Sequence, residues 1–180
     1  AGRPLAMWAA INPADRESLQ TIVHGFATKV DPAVYDEVSK LVGNLSKTLG
    51  NNAKFFAGNP MLNQQGKTAE EMESEVKSVV GVLDTLTKSS LASHAGLASI
   101  DLEGFLATSG KDLMNKVMEM SKQEDSPIEM PDFDEAEIGE PEIDGDTATI
   151  EITNGDDVDT VNLKNVQGQW WLDFSEELAA

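Results

Sequence analysis

The sequence predicts an α+β fold, with four or five N-terminal helices packed on a small C-terminal antiparallel meander of three to four strands. Three observations point there. Apolar residues recur at helical spacing through the first two thirds of the chain, and the repeat drops to two from about residue 147. Acidic residues also crowd into the last third: of 32 Asp and Glu and 13 Lys and Arg, residues 124–180 hold 18 acids and one base, Lys164, leaving 14 acids and 12 bases before them. The expected layout is a helical segment over 1–123, an acidic, Pro-containing linker or edge strand over 124–142 and an antiparallel β segment over 143–180, together forming one compact domain.

Taken in order, Pro4 to Ile11 is an apolar stretch with Met7 and Trp8, read as a short helix or as an arm packed on the core. Asn12 then caps a helix over about 13–29, with Pro13 in its first position, Asp15 in its first turn, and Leu19, Ile22, Val23, Phe26 and Val30 on its apolar face. The signal repeats at Asp31-Pro32, which opens a helix over about 32–49. Val34, Val38, Leu41, Val42, Leu45 and Leu49 line one face, and Gly50 stands where a left-handed terminating residue is wanted. Residues 51–67 read as irregular, with one helical turn at Lys54-Phe55-Phe56-Ala57 pinned to the core.

Thr68 and Glu71 form a capping box for a helix over about 69–88. Ser89 to Ser99 reads as loop or weak helix. Asp101 caps a last helical segment that Ser109-Gly110 kinks or breaks. Pro127, Pro131 and Pro141 exclude helix from the stretch that follows, where Phe133, Ile138 and Ile143 leave room for a ragged edge strand. Ala148, Ile150 and Ile152 then alternate with Thr147, Thr149, Glu151 and Thr153. Asn154-Gly155 is the hairpin turn, Val161 and Leu163 lie on the return strand, and a second turn at Val166-Gln167-Gly168 leads to a last strand. On that strand Trp170, Leu172 and Phe174 are expected to face inward, with Trp171 and Asp173 outward.

The run Asp144-Gly145-Asp146-Thr147-Ala148, followed by Val161-Asn162-Leu163 and by Gly168-Gln169-Trp170-Trp171-Leu172-Asp173, resembles the C-terminal end of NTF2-like (cystatin-like) domains of exported bacterial lipoproteins of unknown function. The resemblance covers roughly the last 45 residues. It implies that Ala148 lets its strand lie against a helix and that Trp170 caps the open end of a cone. Enzymes of that kind are isomerases or dehydratases with a Tyr, Asp or His inside the cone. The chain departs from the pattern in its long helical N-terminal part.

Several chemistries are excluded by what is missing. There is no cysteine for disulfide or thiolate chemistry. No Gly-rich phosphate loop and no nucleophile elbow appear. The net charge of −19 repels phosphate backbones, so a nucleic-acid partner is excluded. No apolar run is long enough for a transmembrane segment.

The candidate site residues are few. Tyr35, the only tyrosine, and His24, on an apolar helix face, are the candidates for a ligand pocket, together with Trp170 and Phe174 of the last strand. Asp144 and Asp146 at one turn, and Asp156, Asp157 and Asp159 at the next, are dense in the oxygen ligands that calcium takes; solvated turns have the same composition, and the EF-hand spacing is absent. Calcium is the only cofactor these residues suggest. Trp171 is a candidate contact surface, or else lies under the arm that carries Trp8.

These residues lead to the expectation of a non-enzymatic, extracytoplasmic binding or scaffold domain whose partner is a protein, a cation or a small apolar ligand. The alternatives are a small-molecule enzyme of NTF2-like type with a helix–sheet pocket, and a weak calcium-binding module. The extracytoplasmic expectation, periplasmic or membrane-anchored, comes from a sequence that begins with Ala1 rather than Met; Ala1-Gly2 could equally be a tag remnant.

Overall fold

The computed structural model describes residues 3–59, 66–122, 136–175 and 178. Its order is α1 (Pro4–Ala10), α2 (Pro13–Lys29), α3 (Pro32–Asn51), α4 (Ala53–Ala57), α5 (Ala69–Lys88), a 3₁₀ turn (Ser90–Ala92), α6 (His94–Ala98), α7 (Leu102–Ala107), α8 (Ser109–Ser121), then β1 (Glu137–Ile138), β2 (Glu142–Asp144), β3 (Thr147–Asn154), β4 (Asp157–Val166) and β5 (Gln169–Leu172). This is the α+β layout that the change of period predicts. The expected edge-strand residue Phe133 lies outside the described residues. The chain divides into two compact units, and the division falls within α2: one unit is Ala1–Pro4 with Val23–Ile128, the other Leu5–Ile22 with Glu129–Ala180.

In the first unit, α5 is the central helix, with α3, α4 and α8 packed against it. Its start is fixed locally. The Thr68 hydroxyl accepts from Glu71 N–H while the Glu71 carboxylate accepts from Thr68 N–H at 2.7 Å. Asp31 caps α3 by accepting from Ala33 and Val34 N–H at 2.9 and 3.0 Å.

The side of α3 that is buried differs from the expectation. Val34, Val38, Leu41 and Leu45 are 58, 54, 67 and 48% exposed. The covered line is Tyr35, Ser39, Val42, Ser46 and Leu49, one helix face over, with Ser46 only 1% exposed. Small residues decide this. Gly50 lies so near Val80 that an added Cβ would meet Val80 Cγ1 at 3.4 Å, and one added at Gly43 would meet Thr87 Cγ2 at 3.8 Å. Between them the Ser46 hydroxyl donates to Asp84 Oδ1. The pairs 43–87, 46–84 and 50–80 run antiparallel in one constant register, so α3 approaches α5 along its small residues, and the larger aliphatic stripe is left outside. The same packing overturns the role given to Gly50. It lies inside the helix, which ends at Asn51 and is capped by Asn52.

The Phe55-Phe56 pair is also split. Ala53 and Ala57 are the buried residues of α4, Phe56 is half-buried, and Phe55 is 70% exposed. On α2, Ala27 is buried, whereas Ile22 and Phe26 are exposed. The Ser89–Ser99 stretch forms the 3₁₀ turn and α6, held by Ser89 and Ser93, whose hydroxyls accept from Leu91 and Gly96 N–H at 3.1 Å each.

In the second unit the sheet order is β1-β3-β4-β5, with β2 also pairing β3 and all pairings antiparallel. The turn between β4 and β5 is Gln167-Gly168, both at positive φ (57° and 85°), the two-residue geometry that matches the strands' twist. Between β3 and β4 the loop is Gly155-Asp156, one residue beyond the expected Asn154-Gly155, because Asn154 pairs with Asp157 and the positive φ falls on Gly155. Ile143, Ala148, Leu163 and Leu172 stand opposite one another in adjacent strands and share one face, with Ala148 buried.

The corner between α1 and α2 is joined to the end of β5. Ile11 bridges to Leu172, Asn12 N–H donates to the Leu172 carbonyl at 3.0 Å, and the buried Asp15 carboxylate accepts from Phe174 N–H at 3.0 Å. Of the two placements open for Trp171 the covered one is seen, and Trp170 is more exposed than expected. The Arg16 guanidinium lies 5.7 Å from the Trp171 ring centre, and Trp171 is half-buried beneath it. Trp170, at the sheet margin, is 37% exposed, and Phe174, beyond the last pairing, is 36% exposed.

Candidate functional site

The five aspartates proposed for calcium sit in two hairpins at opposite ends of β3. Asp144 and Asp146 flank Gly145 before it, and Asp156, Asp157 and Asp159 follow Gly155 after it. Asp144 is level with Thr147, and Asp159 and Asp157 with Ile152 and Asn154, so the two groups stand about 17–23 Å apart at about 3.3 Å per residue. One ion cannot be held by both. Among the described residues no group of three or more His, Asp or Glu side chains is placed to hold a metal ion.

The first unit holds both histidines and the tyrosine, and gives each a backbone partner far along the chain. His24 Nε2 lies 2.9 Å from the Ile100 carbonyl, His94 Nε2 lies 2.8 Å from the Ala27 carbonyl, and the Tyr35 hydroxyl donates to the Leu91 carbonyl at 2.9 Å. A carbonyl only accepts, so each histidine carries a proton on Nε2. Those nitrogens are therefore donors rather than bases. The Tyr35 and His94 rings meet edge to face at 6.2 Å, and Asp36, the next residue on α3, accepts from His94 N–H at 2.7 Å. Burial pushes the Tyr35 phenol above its ordinary value, and the Asp36 charge pushes it further the same way. The phenol therefore stays protonated at neutral pH.

Tyr35 closes one end of a groove between α3 and the stretch that runs from the end of α5 through the 3₁₀ turn. Its apolar part, about 230 Å³, is lined by Tyr35, Val38, Val42, Leu86 and Leu91, with Ser39, Thr87 and Ala92. The last three also line an adjoining hollow of about 390 Å³, where Lys40, Gly43, Asn44 and Lys47 complete the wall. The two hollows are thus parts of one amphipathic groove. A tyrosine on a helix face was legible as a candidate. Leu86, Leu91 and the lysine end were not, since the groove exists only once α3 and α5 pair through Ser46 and Asp84.

Of the other sequence candidates, Trp170, Phe174 and Trp171 belong to the second unit. There a shallow hollow of about 210 Å³ is lined by Thr147, Ala148, Thr149, Asn162, Leu163, Asp173 and Ser175, without any of the three. Among the described residues no helix is long and apolar enough to cross a membrane. Comparison with protein-family models, with curated proteins and with solved structures finds no match to this chain.

Proposed function

We propose that the chain is a non-enzymatic binding domain that holds a small apolar molecule in the groove between α3 and the α5–3₁₀ wall. One observation carries the reading: the Tyr35 hydroxyl, the polar group at the groove, is tied to the Leu91 carbonyl, while the groove itself is walled by Val38, Val42, Leu86 and Leu91. An isomerase or dehydratase needs a base or a proton donor free to meet its substrate. Here the Tyr35 hydroxyl is engaged and its pKa is raised, the opposite of what a catalytic phenolate requires. The apolar part, about 230 Å³, is an open groove somewhat below the roughly 300–1,000 Å³ of an enclosing ligand pocket, so it suits only a small apolar body.

The test is a thermal melt with octan-1-ol as the probe, on the wild type and on Val38→Gln. Val38 is 54% exposed, so the substitution leaves the core intact. A ligand bound only to the folded state stabilises it by about 2.7 kcal/mol at a hundred times its Kd. The wild-type midpoint should rise with octanol and the variant's should rise less. An equal response in both proteins, or none in either, overturns the groove as the site.

A further inference from the structure

We infer that the ligand of this groove is an organic anion, an apolar body with a carboxylate or similar head, and this rests on the groove being the binding site. The head would lie at the end walled by Lys40 and Lys47. The two lysines stand seven residues apart on α3, about 10 Å along one side of the helix. Both are exposed, and among the described residues neither pairs with a carboxylate, whereas Lys67, Lys77 and Lys88 pair with Glu75, Glu73 and Asp84. Through residue 123 the chain is nearly balanced, 14 acids against 12 bases, so two ammonium groups without a carboxylate partner at the mouth of an apolar groove form a local positive spot. Asn44 adds an amide donor to the same wall. A neutral ligand would use the apolar end alone. A cation would face both lysines without a compensating charge.

The experiment titrates the full chain with octanoate, octan-1-ol and octylammonium below their micelle concentrations, following backbone amide shifts. It is repeated on the double variant Lys40→Gln/Lys47→Gln. Octanoate should bind about three- to tenfold tighter than octanol, a preference typical of two exposed charge contacts. The preference should shrink with added salt, since exposed charges are screened. The double variant should lose it while binding octanol as before, and octylammonium should bind weakest. If octanol binds the groove as well as octanoate and the variant changes nothing, the anion is wrong and the apolar site stands. If octylammonium equals octanoate, the anion is likewise overturned. If none of the three perturbs Val42 or Leu91, the site and the inference fall together.

Discussion

Gly96 is the position where a single methyl group should do most damage to the groove. A Cβ built there would lie 2.2 Å from the Ser90 carbonyl oxygen and 3.0 Å from its carbon. Real Cβ atoms do not approach below 3.0 Å, so the Ser90–Ala92 turn must move by about an ångström, since backbone rather than a flexible side-chain end is in the way. Overpacking of this kind costs about 1–3 kcal/mol, and the better helix propensity of Ala returns up to about 1 kcal/mol. The net expectation is a loss of about 1–2 kcal/mol, which for a chain of this length lowers the melting midpoint by about 2–8 °C. Leu91 and Ala92 sit on the displaced turn, so octanol binding should weaken as well. Gly25→Ala is the matched control. Nothing lies within 4 Å of its added Cβ, it is inside α2, and the same methyl should raise the midpoint by a few degrees. Melting by circular dichroism of both variants reads the contrast. If Gly96→Ala is as stable as Gly25→Ala, the turn is not where the structure puts it and the groove wall is misplaced.

Three further outcomes follow from the hydrogen bonds. Asp15→Ala removes the acceptor of the Phe174 N–H from a buried position, and should cost about 1–3 kcal/mol with faster hydrogen exchange at Phe174; unchanged exchange would refute the join between the α1–α2 corner and β5. Tyr35→Phe strips the donor from the Leu91 carbonyl and should cost about 1 kcal/mol, read by denaturant midpoint, while leaving octanol binding largely in place; complete loss of binding would make the hydroxyl a ligand contact instead. The Glu71 carboxyl is held below its ordinary range, first by the Thr68 N–H and then by the Thr68 hydroxyl. A depressed carboxylate stabilises the fold above its unfolded pKa and loses that contribution as pH falls through its folded pKa. The stability gap between wild type and Glu71→Ala should therefore be full at neutral pH and close below about pH 4; a gap that persists in acid would contradict the capping box.

The parts of this fold that the sequence made legible are those decided within a few residues. Asp31-Pro32 starts α3, Thr68 and Glu71 start α5, and the step from a helical repeat to alternation at Thr147 marks the sheet. The buried side of α3 was not legible. Its aliphatic stripe is regular, but the partner helix takes the neighbouring line of small residues because Ser46 and Asp84, 38 positions apart, bond there. The site was legible only as single names. Tyr35 and His24 stand out by type, yet their partners, Leu91 and Ile100, lie 56 and 76 residues away, and no local pattern announces them. The aspartates read first as solvated turns and second as oxygen ligands. Turn chemistry alone calls for Asp and Gly at both hairpins, and a strand of 8 residues keeps the two groups apart.

Nuclear Overhauser contacts between the methylenes of bound octan-1-ol and the protein's methyl groups would show whether a small apolar ligand sits between α3 and the α5–3₁₀ wall. Contacts to Val38, Val42, Leu86 and Leu91 together are expected. Contacts confined to the other exposed aliphatic side chains, such as Leu41, Leu45 or Val158, would contradict that placement.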